Sequence, residues 1–307
     1  MTDTAHRPCV VVVGAACRDL TSDDPRGWRL GGGVTYGALT AARLGVRTAA
    51  LIGVDRLAAN ASELDELRAA GCTVVTVPLR HGPVFENVEA PGGRVQTVLE
   101  VADPLPVSAF PEDWRRAPGW ILAPVASELP PGWASLPLPE ATVAFGWQGI
   151  LRRLEPGERV LPLAPGPSDL LQRANITGVS RHDLLHDLSF DALRRLLGTP
   201  SELLLTSGDG GGYLLELGRE QSRRLVRYPA VPNRGIVDPT GCGDVMLAAL
   251  LAARVAALDT GAGHRSAELL IAATAASLNT EGLGLDGVPT RAAIRARMAQ
   301  PVASPGW

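Results

Sequence analysis

Apolar positions along this chain follow two rhythms that alternate with each other. Cys9-Val-Val-Val-Val-Gly14 is a short unbroken run ending in glycine, which predicts a strand buried on both faces of a parallel sheet. Gly31-Gly-Gly33 then leads into an alanine- and leucine-rich stretch, Thr35 to Leu44, closed by Gly45 as a helix cap, and Thr48 to Ile52 reads as the next strand. That is one β-loop-α-β unit. In a second unit Asn60-x-x-Glu63 resembles a capping box, Leu64 and Leu67 mark one apolar helix face, Gly71 ends the helix and Thr73 to Val77 forms a strand. The alternation argues for α/β architecture.

From Pro83 to Val101 the rhythm changes to alternating polar and apolar residues around a Pro91-Gly-Gly93 turn, which predicts a hairpin projecting from the main body. Between Pro104 and Pro167 proline is dense, and only Trp120-Ile-Leu122 and Thr142 to Phe145 read as strands. A helix follows from Ser189 to Leu197, then strands at Leu203 to Thr206, Tyr213 to Leu217 and Leu225 to Tyr228, the first two separated by a Gly208 to Gly212 turn. The last third ends in alanine-rich helices. No internal repeat or linker divides the chain, so residues 1–307 are expected to form one domain with a small β appendage built from about 83–101 and part of the region after residue 14.

Composition narrows the function classes. The chain has 307 residues, 46% hydrophobic and 20% charged, and a formal net charge of −3, so neither a disordered chain nor a nucleic-acid footprint is expected. All 29 basic residues are arginine. Without lysine there is no Walker P-loop, Schiff-base lysine or protein-kinase lysine, and a bound phosphate must be held by arginine, backbone N–H groups, a helix N-terminus or a metal. Four cysteines at 9, 17, 72 and 242 lack metal-ligand spacing, which together with the start of the chain predicts a reducing, cytoplasmic setting and no membrane association.

The chemistry concentrates in Val237-Asp-Pro-Thr-Gly-Cys-Gly-Asp244, followed at once by an apolar helix, Val245 to Leu258. Closely spaced glycines let backbone N–H groups converge, and the helix adds its positive end, so the turn suits an anion. Asp244 would repel that anion unless it has work to do. It can accept a proton from a nucleophile while the N–H groups stabilise a transferring phosphoryl group. Read alone, the segment equally fits a capped helix after a tight turn.

Asp238-x-Thr240-Gly-x-Gly-Asp244 resembles the C-terminal signature of the ribokinase-like, or phosphofructokinase-B type, carbohydrate kinases. Gly31-Gly-Gly33 through Arg43-Leu-Gly45 to Ile52-Gly-Val-Asp55 is similar to that family's N-terminal signature. Leu205 to Gly211 is similar to its nucleotide-site strand and turn, and Gly282 to Pro289 to its closing segment. These matches occur in the family's order along the whole chain. The resemblance implies a three-layer α/β/α sandwich with a mostly parallel sheet and a β lid, and transfer of the γ-phosphate of ATP, with Mg²⁺, to a hydroxyl of a sugar or related polyol. It allows a monovalent cation and a homodimer formed through the lid.

By position, the resemblance makes Asp244 the base and the amides of Gly241, Cys242 and Gly243 the anion hole. Asp19, Gly32, Gly33 and Glu128 fall on the acceptor side, with Asn87, Arg94 and Gln96 of the lid. Thr206, Gly208 and Thr240 join the glycine turn on the nucleotide side. The family's Asn-x-x-Glu element, which organises Mg²⁺ through water, has Ser180-Arg-His-Asp183 as its counterpart, so Asp183 is the indirect metal residue. Trp28 and Trp147-Gln148 are further pocket residues. His182 and His186 suit a transition metal no better than a polar helix face. Cys242, at a helix N-terminus, is expected to have a lowered pKa and to make activity sensitive to thiol oxidation. Rival readings are a nucleoside kinase of the same fold and a non-catalytic sugar- or nucleotide-binding homologue. A dinucleotide-dependent dehydrogenase is disfavoured because Gly14-Ala-Ala-Cys-Arg-Asp19 lacks G-x-G-x-x-G spacing.

Overall fold

The computed structural model describes residues 7–90, 93–184, 187–219, 222–256 and 265–300. Its strands are β1 (Val10–Ala15), β2 (Cys17–Leu20), β3 (Trp28–Gly31), β4 (Thr48–Val54), β5 (Thr73–Pro78), β6 (Val84–Ala90), β7 (Gly93–Glu100), β8 (Gly119–Leu122), β9 (Thr142–Gly146), β10 (Arg152–Arg153), β11 (Glu158–Arg159), β12 (Leu161–Pro162), β13 (Ile176–Ser180), β14 (Ser201–Thr206), β15 (Gly212–Leu217) and β16 (Arg223–Tyr228). The helices are α1 (Gly33–Arg43), α2 (Ser62–Ala69), α3 (Asp169–Arg173), α4 (Phe190–Leu196), α5 (Cys242–Val255), α6 (Arg265–Asn279) and α7 (Arg291–Met298).

Nine strands form the central sheet in the order β16-β15-β14-β13-β9-β8-β1-β4-β5. Pairing is parallel from β14 across to β5, and antiparallel only at β15 and β16. The unbroken apolar runs are explained by two cores. Val10 and Val12 point into the layer of α1, α5 and α6, while Val11 and Val13 point into the opposite layer with Trp120, Trp133 and Trp147. A strand covered on both faces has no polar side to show. The sheet is therefore mostly parallel with helices on both sides, as the resemblance implied.

A second sheet, β11-β7-β6-β2-β3, extends the predicted hairpin. Alternation places Asn87 and Gln96 on the same face as buried Phe85 and Val98, which pack with Cys17, Val125 and Ala126. Strand β13 and the short strands β10 to β12 were not legible from the sequence pattern. Asn60 does not cap α2: the N-cap is Ala61, and Glu63 instead accepts from the two terminal guanidinium nitrogens of Arg26, at 2.7 and 2.8 Å, and from the Leu30 amide at 3.0 Å. The carboxylate that a capping box would use at its own helix start is spent on tying α2 to the end of β3.

Helix α5 is fixed from behind by charge. Arg254 donates to Glu202 of β14 at 2.8 Å and to Glu268 of α6 at 2.9 Å. These partly buried pairs hold the far end of the helix against the sheet, so its N-terminus, which carries Asp244, has a defined place at the C-terminal edge of the parallel strands.

Candidate active site

In open parallel sheets the crevice lies beyond the C-terminal ends of the strands, and the residues singled out from the sequence gather there. Gly241 adopts a left-handed conformation, φ 73°, as the N-cap of α5. A side chain there would also strike the ring of buried Tyr36, 2.4 Å from a built Cβ, so only glycine lets this turn close over α1. The Cys242 amide donates to the Pro239 carbonyl at 3.3 Å, whereas among the described residues the amides of Gly241 and Gly243 have no backbone acceptor. Gly243 faces open space. Of the three expected anion-hole amides, that of Gly241 is thus the least engaged, that of Cys242 is shared with the turn itself and that of Gly243 lies against the Cys242 sulfur.

Asp244 stands against the backbone of the β3–α1 turn. A Cβ on Gly33 would lie 2.7 Å from Asp244 Oδ1, and one on Gly146, at the end of β9, 4.0 Å away. The absence of a side chain at residue 33 is what gives the carboxylate its seat. Burial pushes the Asp244 carboxyl up to about 6, helped by Asp183 and opposed by Arg152. Gly32, φ 99°, makes the preceding bend, where any Cβ would crowd the Ala15 carbonyl at 2.8 Å. Asp19 lies across β3, its Oδ2 3.6 Å from Cys17 Sγ and close to Gly31.

Other expected residues take different places. Glu128 is 1% exposed, and its carboxylate accepts from the amides of Ala15 (2.8 Å), Val125 (3.0 Å) and Ala126 (2.8 Å). It braces the β1 end to the loop after β8 instead of offering free oxygens to an acceptor. Gln96 Nε2 donates to Asn87 Oδ1 at 2.9 Å across the hairpin, so these two form one polar patch under the small sheet. The side chain of Arg94 and all of His186 lie outside the described residues. Trp147 is fully buried in the core, and Trp28 is flanked by the guanidinium groups of Arg26 and Arg18, 4.6 and 5.8 Å from its ring, so neither is a free pocket wall.

On the side that the resemblance gave to the nucleotide, Thr206 ends β14 and Gly208, φ 54°, opens the following turn. Tyr228 joins this turn to the glycine loop: its hydroxyl donates to the Leu205 carbonyl at 3.1 Å, and its ionisation is coupled to Cys242. Next to it a cleft of about 200 Å³ lies between β16 and α6, lined by Tyr228, Pro229, Leu269 and Ala273 among others. Asp238 staples the motif together, accepting from the Thr240 amide at 2.9 Å and the Gly284 amide at 3.1 Å.

The Cys242 expectation is reversed. Burial and the neighbouring Asp244 push its thiol up and outweigh the helix N-terminus and the Gly243 amide. Peroxide should accordingly inactivate wild type and Cys242→Ala at the same rate, and slower loss in the variant would show a reactive thiolate after all.

Asp183 is held at both oxygens. Gln148 Nε2 lies 3.4 Å from each, and Arg152 Nη2 is 3.8 Å from Oδ1. Ser180 Oγ accepts from the His182 amide. Among the described residues no group of three His, Cys, Asp or Glu side chains could hold a metal ion. Gln148 follows β9 as the pocket residue expected beside Trp147, whereas no periodic pattern announced Arg152 inside the proline-rich stretch.

Comparison with known proteins agrees with this fold. Residues 184–291 match the family model described as pfkB family carbohydrate kinase. A pyrophosphate-dependent kinase in the ribokinase family, complexed with a pyrophosphate analogue and myo-inositol, superposes with a TM-score of 0.69 at 18% identity, over 94% of this chain and 99% of the other. The chain has a ribokinase-like fold. The same fold recurs in a ribokinase of Arabidopsis thaliana complexed with ribose and ATP (TM-score 0.66, 16% identity, 96% of this chain and 100% of the other) and a nucleoside kinase of Methanocaldococcus jannaschii (0.67, 17%, 95% and 98%). No curated protein sequence matches. The pfkB match includes the Asp244 motif; the Gly32-Gly33 turn and Asp19 lie outside it and are joined to it by the ribokinase-like fold. Among the described residues no helix is long and apolar enough to cross a membrane.

Proposed function

We propose that the protein is an ATP-dependent phosphotransferase acting on a hydroxyl of a sugar or sugar-like polyol. The observation that carries this reading is the seat of Asp244: a carboxylate at the start of α5, against the bare backbone of Gly33, with its pKa raised to about 6 and the amides of the glycine turn beside it.

A base with that pKa is mostly ionised at neutral pH yet basic enough to take a proton as the acceptor oxygen begins to bond to phosphorus. Asp19 and the Asn87–Gln96 patch would bind the remaining hydroxyls. The Gly241 and Gly243 amides, with the α5 N-terminus, stabilise charge on the transferred phosphoryl group. Closure of the small sheet over the acceptor excludes water, which would otherwise compete as nucleophile. Thr206, Gly208 and Thr240 border the donor, and the small residues of α6 leave room for a base beside Tyr228.

The donor has one specific rival, pyrophosphate, because a solved structure with this fold is a pyrophosphate-dependent kinase. The test is a coupled product-release screen in which ATP and pyrophosphate are each combined with sugars, sugar acids, cyclitols and nucleosides. Acceptor-dependent release of ADP supports the reading. Release only with pyrophosphate would reassign the donor, only with nucleosides the acceptor, and ligand binding without turnover would leave a binding protein.

A further inference from the structure

The nine-stranded sheet ends at β16, and among the described residues no strand pairs with the outer edge of that strand. Its six residues, Arg223-Arg-Leu-Val-Arg-Tyr228, include three arginines and no acid. All three arginines are exposed, and among the described residues none of them makes an ion pair. Glu216, the acid opposite Arg224 in the register, is taken by Arg265 at 3.0 Å. Arg223 lies over the ring of Phe190, 4.2 Å from its centroid. Pairing with β15 sorts the side chains. Arg223, Leu225 and Arg227 lie on the α4 face with Leu215 and Leu217, and Leu225 is 57% exposed between the two arginines. Arg224, Val226 and Tyr228 lie on the face that α6 covers.

Along this open edge runs the cleft of about 200 Å³, with Val226 and Tyr228 on one wall and Ser266, Leu269, Leu270 and Ala273 on the other. The four α6 residues recur at the spacing of one helix stripe, so the wall follows the strand for two turns. Among the lining residues only Arg227 is charged, and Leu270 is 44% exposed. The groove leads away from the glycine turn: Asn279, at the opposite end of α6 from Ser266, is the residue that donates to the Thr240 carbonyl.

An unpaired strand beside an apolar, helix-walled cleft suits strand addition, in which main-chain groups of an extended peptide pair with the edge and alternate side chains enter the cleft. Charge selects the occupant. A second copy of this chain, paired edge to edge, would set three arginines against three with no acid between them. A nucleic acid would meet the arginines but leave the edge N–H and C=O groups and the apolar cleft unused. Arginines that only protect the edge from self-pairing need no cleft beside them.

We propose that β16 and α6 form a docking groove for an extended acidic segment of a partner protein. Residues on one face of that segment are apolar and fill the cleft, and those on the other carry carboxylates to Arg223 and Arg227.

The test is fluorescence anisotropy with a labelled peptide, Val-Glu-Val-Thr-Val-Glu-Val, blocked at both ends, whose glutamates share one face at the spacing of Arg223 and Arg227. The same peptide with lysine for glutamate is the control. Wild type should bind the acidic peptide, less tightly as salt rises, and not the basic one. Arg223→Glu/Arg227→Glu should weaken binding about 10-fold or more, and Leu270→Glu, which sets a charge in the cleft, should weaken it by a similar factor. These positions are exposed, and an unchanged melting temperature shows that each variant is folded. Hydrogen exchange should show β16 amides protected when the peptide is bound, and saturating ATP should leave its affinity within about twofold. No binding of the acidic peptide, equal binding of the basic one, or unchanged affinity in the folded double variant would overturn the proposal. So would displacement of the peptide by ATP, which returns the cleft to the nucleotide, or tighter binding of oligothymidylate, which gives the arginines to nucleic acid. Protection of β16 in a concentration-dependent dimer without peptide would assign the edge to a second copy instead.

Discussion

Asp244→Asn is expected to lower acceptor phosphorylation by about 10²- to 10⁴-fold, the range spanned by a positioned general base, while nucleotide affinity stays within a few-fold. Asparagine keeps the size and leaves the Gly33 seat filled, but it cannot take the proton. Stability should move the other way. The folded pKa of about 6 lies above the ordinary aspartate value of 3.8, so above pH 6 the fold holds an ionised group that it disfavours. That penalty is present at neutral pH, shrinks as pH falls through 6 and is absent below 3.8, where folded and unfolded chains are both protonated. The variant should therefore melt no lower than wild type at neutral pH, and its advantage should vanish in acid. Lost turnover together with a lower melting temperature at neutral pH would mean that Asp244 is structural.

Glu128→Ala is expected to destabilise by about 3–5 kcal/mol, because three buried amide N–H groups lose their acceptor together. The loop it braces contains Ser127 in a left-handed conformation, φ 59°, which a non-glycine residue holds only when its surroundings insist. Ser127 Oγ donates to the Gly149 carbonyl at 2.9 Å, so the same loop also positions the segment that leads to Arg152. Turnover should fall along with the melting temperature. Glu128→Gln keeps one carboxyl-like oxygen and should fall between the two. Binding of acceptor lost at an unchanged melting temperature would instead restore Glu128 to direct acceptor contact, as its position in the sequence suggested.

These two residues show what the sequence made legible. The seat of Asp244 at a helix start could be read because its motif is local: two glycines, an acid and a helix start lie within a few positions, although the segment alone fits a capped helix equally well. Most parallel strands, β13 excepted, were equally plain, since a run such as Val10 to Val13 has no other stable home. Glu128 carried no such signal. Its role depends on Ala15, 113 positions away, and a buried acid looks the same in sequence whether its partners are sugar hydroxyls or amides. Arg152 was hidden for a related reason. It follows a proline-rich stretch with no period, and its meaning arises only when β9 and β13 bring Gln148, Asp183 and Asp244 around it. The Cys242 expectation failed because helix position is visible in sequence while burial and the field of Asp244 are not.

The most direct test of the account is the pH dependence of acceptor-dependent ADP release by the wild-type enzyme, from about pH 5 to about pH 8.5, with Asp244→Asn measured in parallel. The account predicts a rate that falls on the acid side with a midpoint near 6, where the Asp244 carboxyl takes up its proton, and a residual rate in the variant that lacks this limb. A wild-type rate that stays level down to pH 5, or a variant that keeps the same limb, would contradict Asp244 as the base.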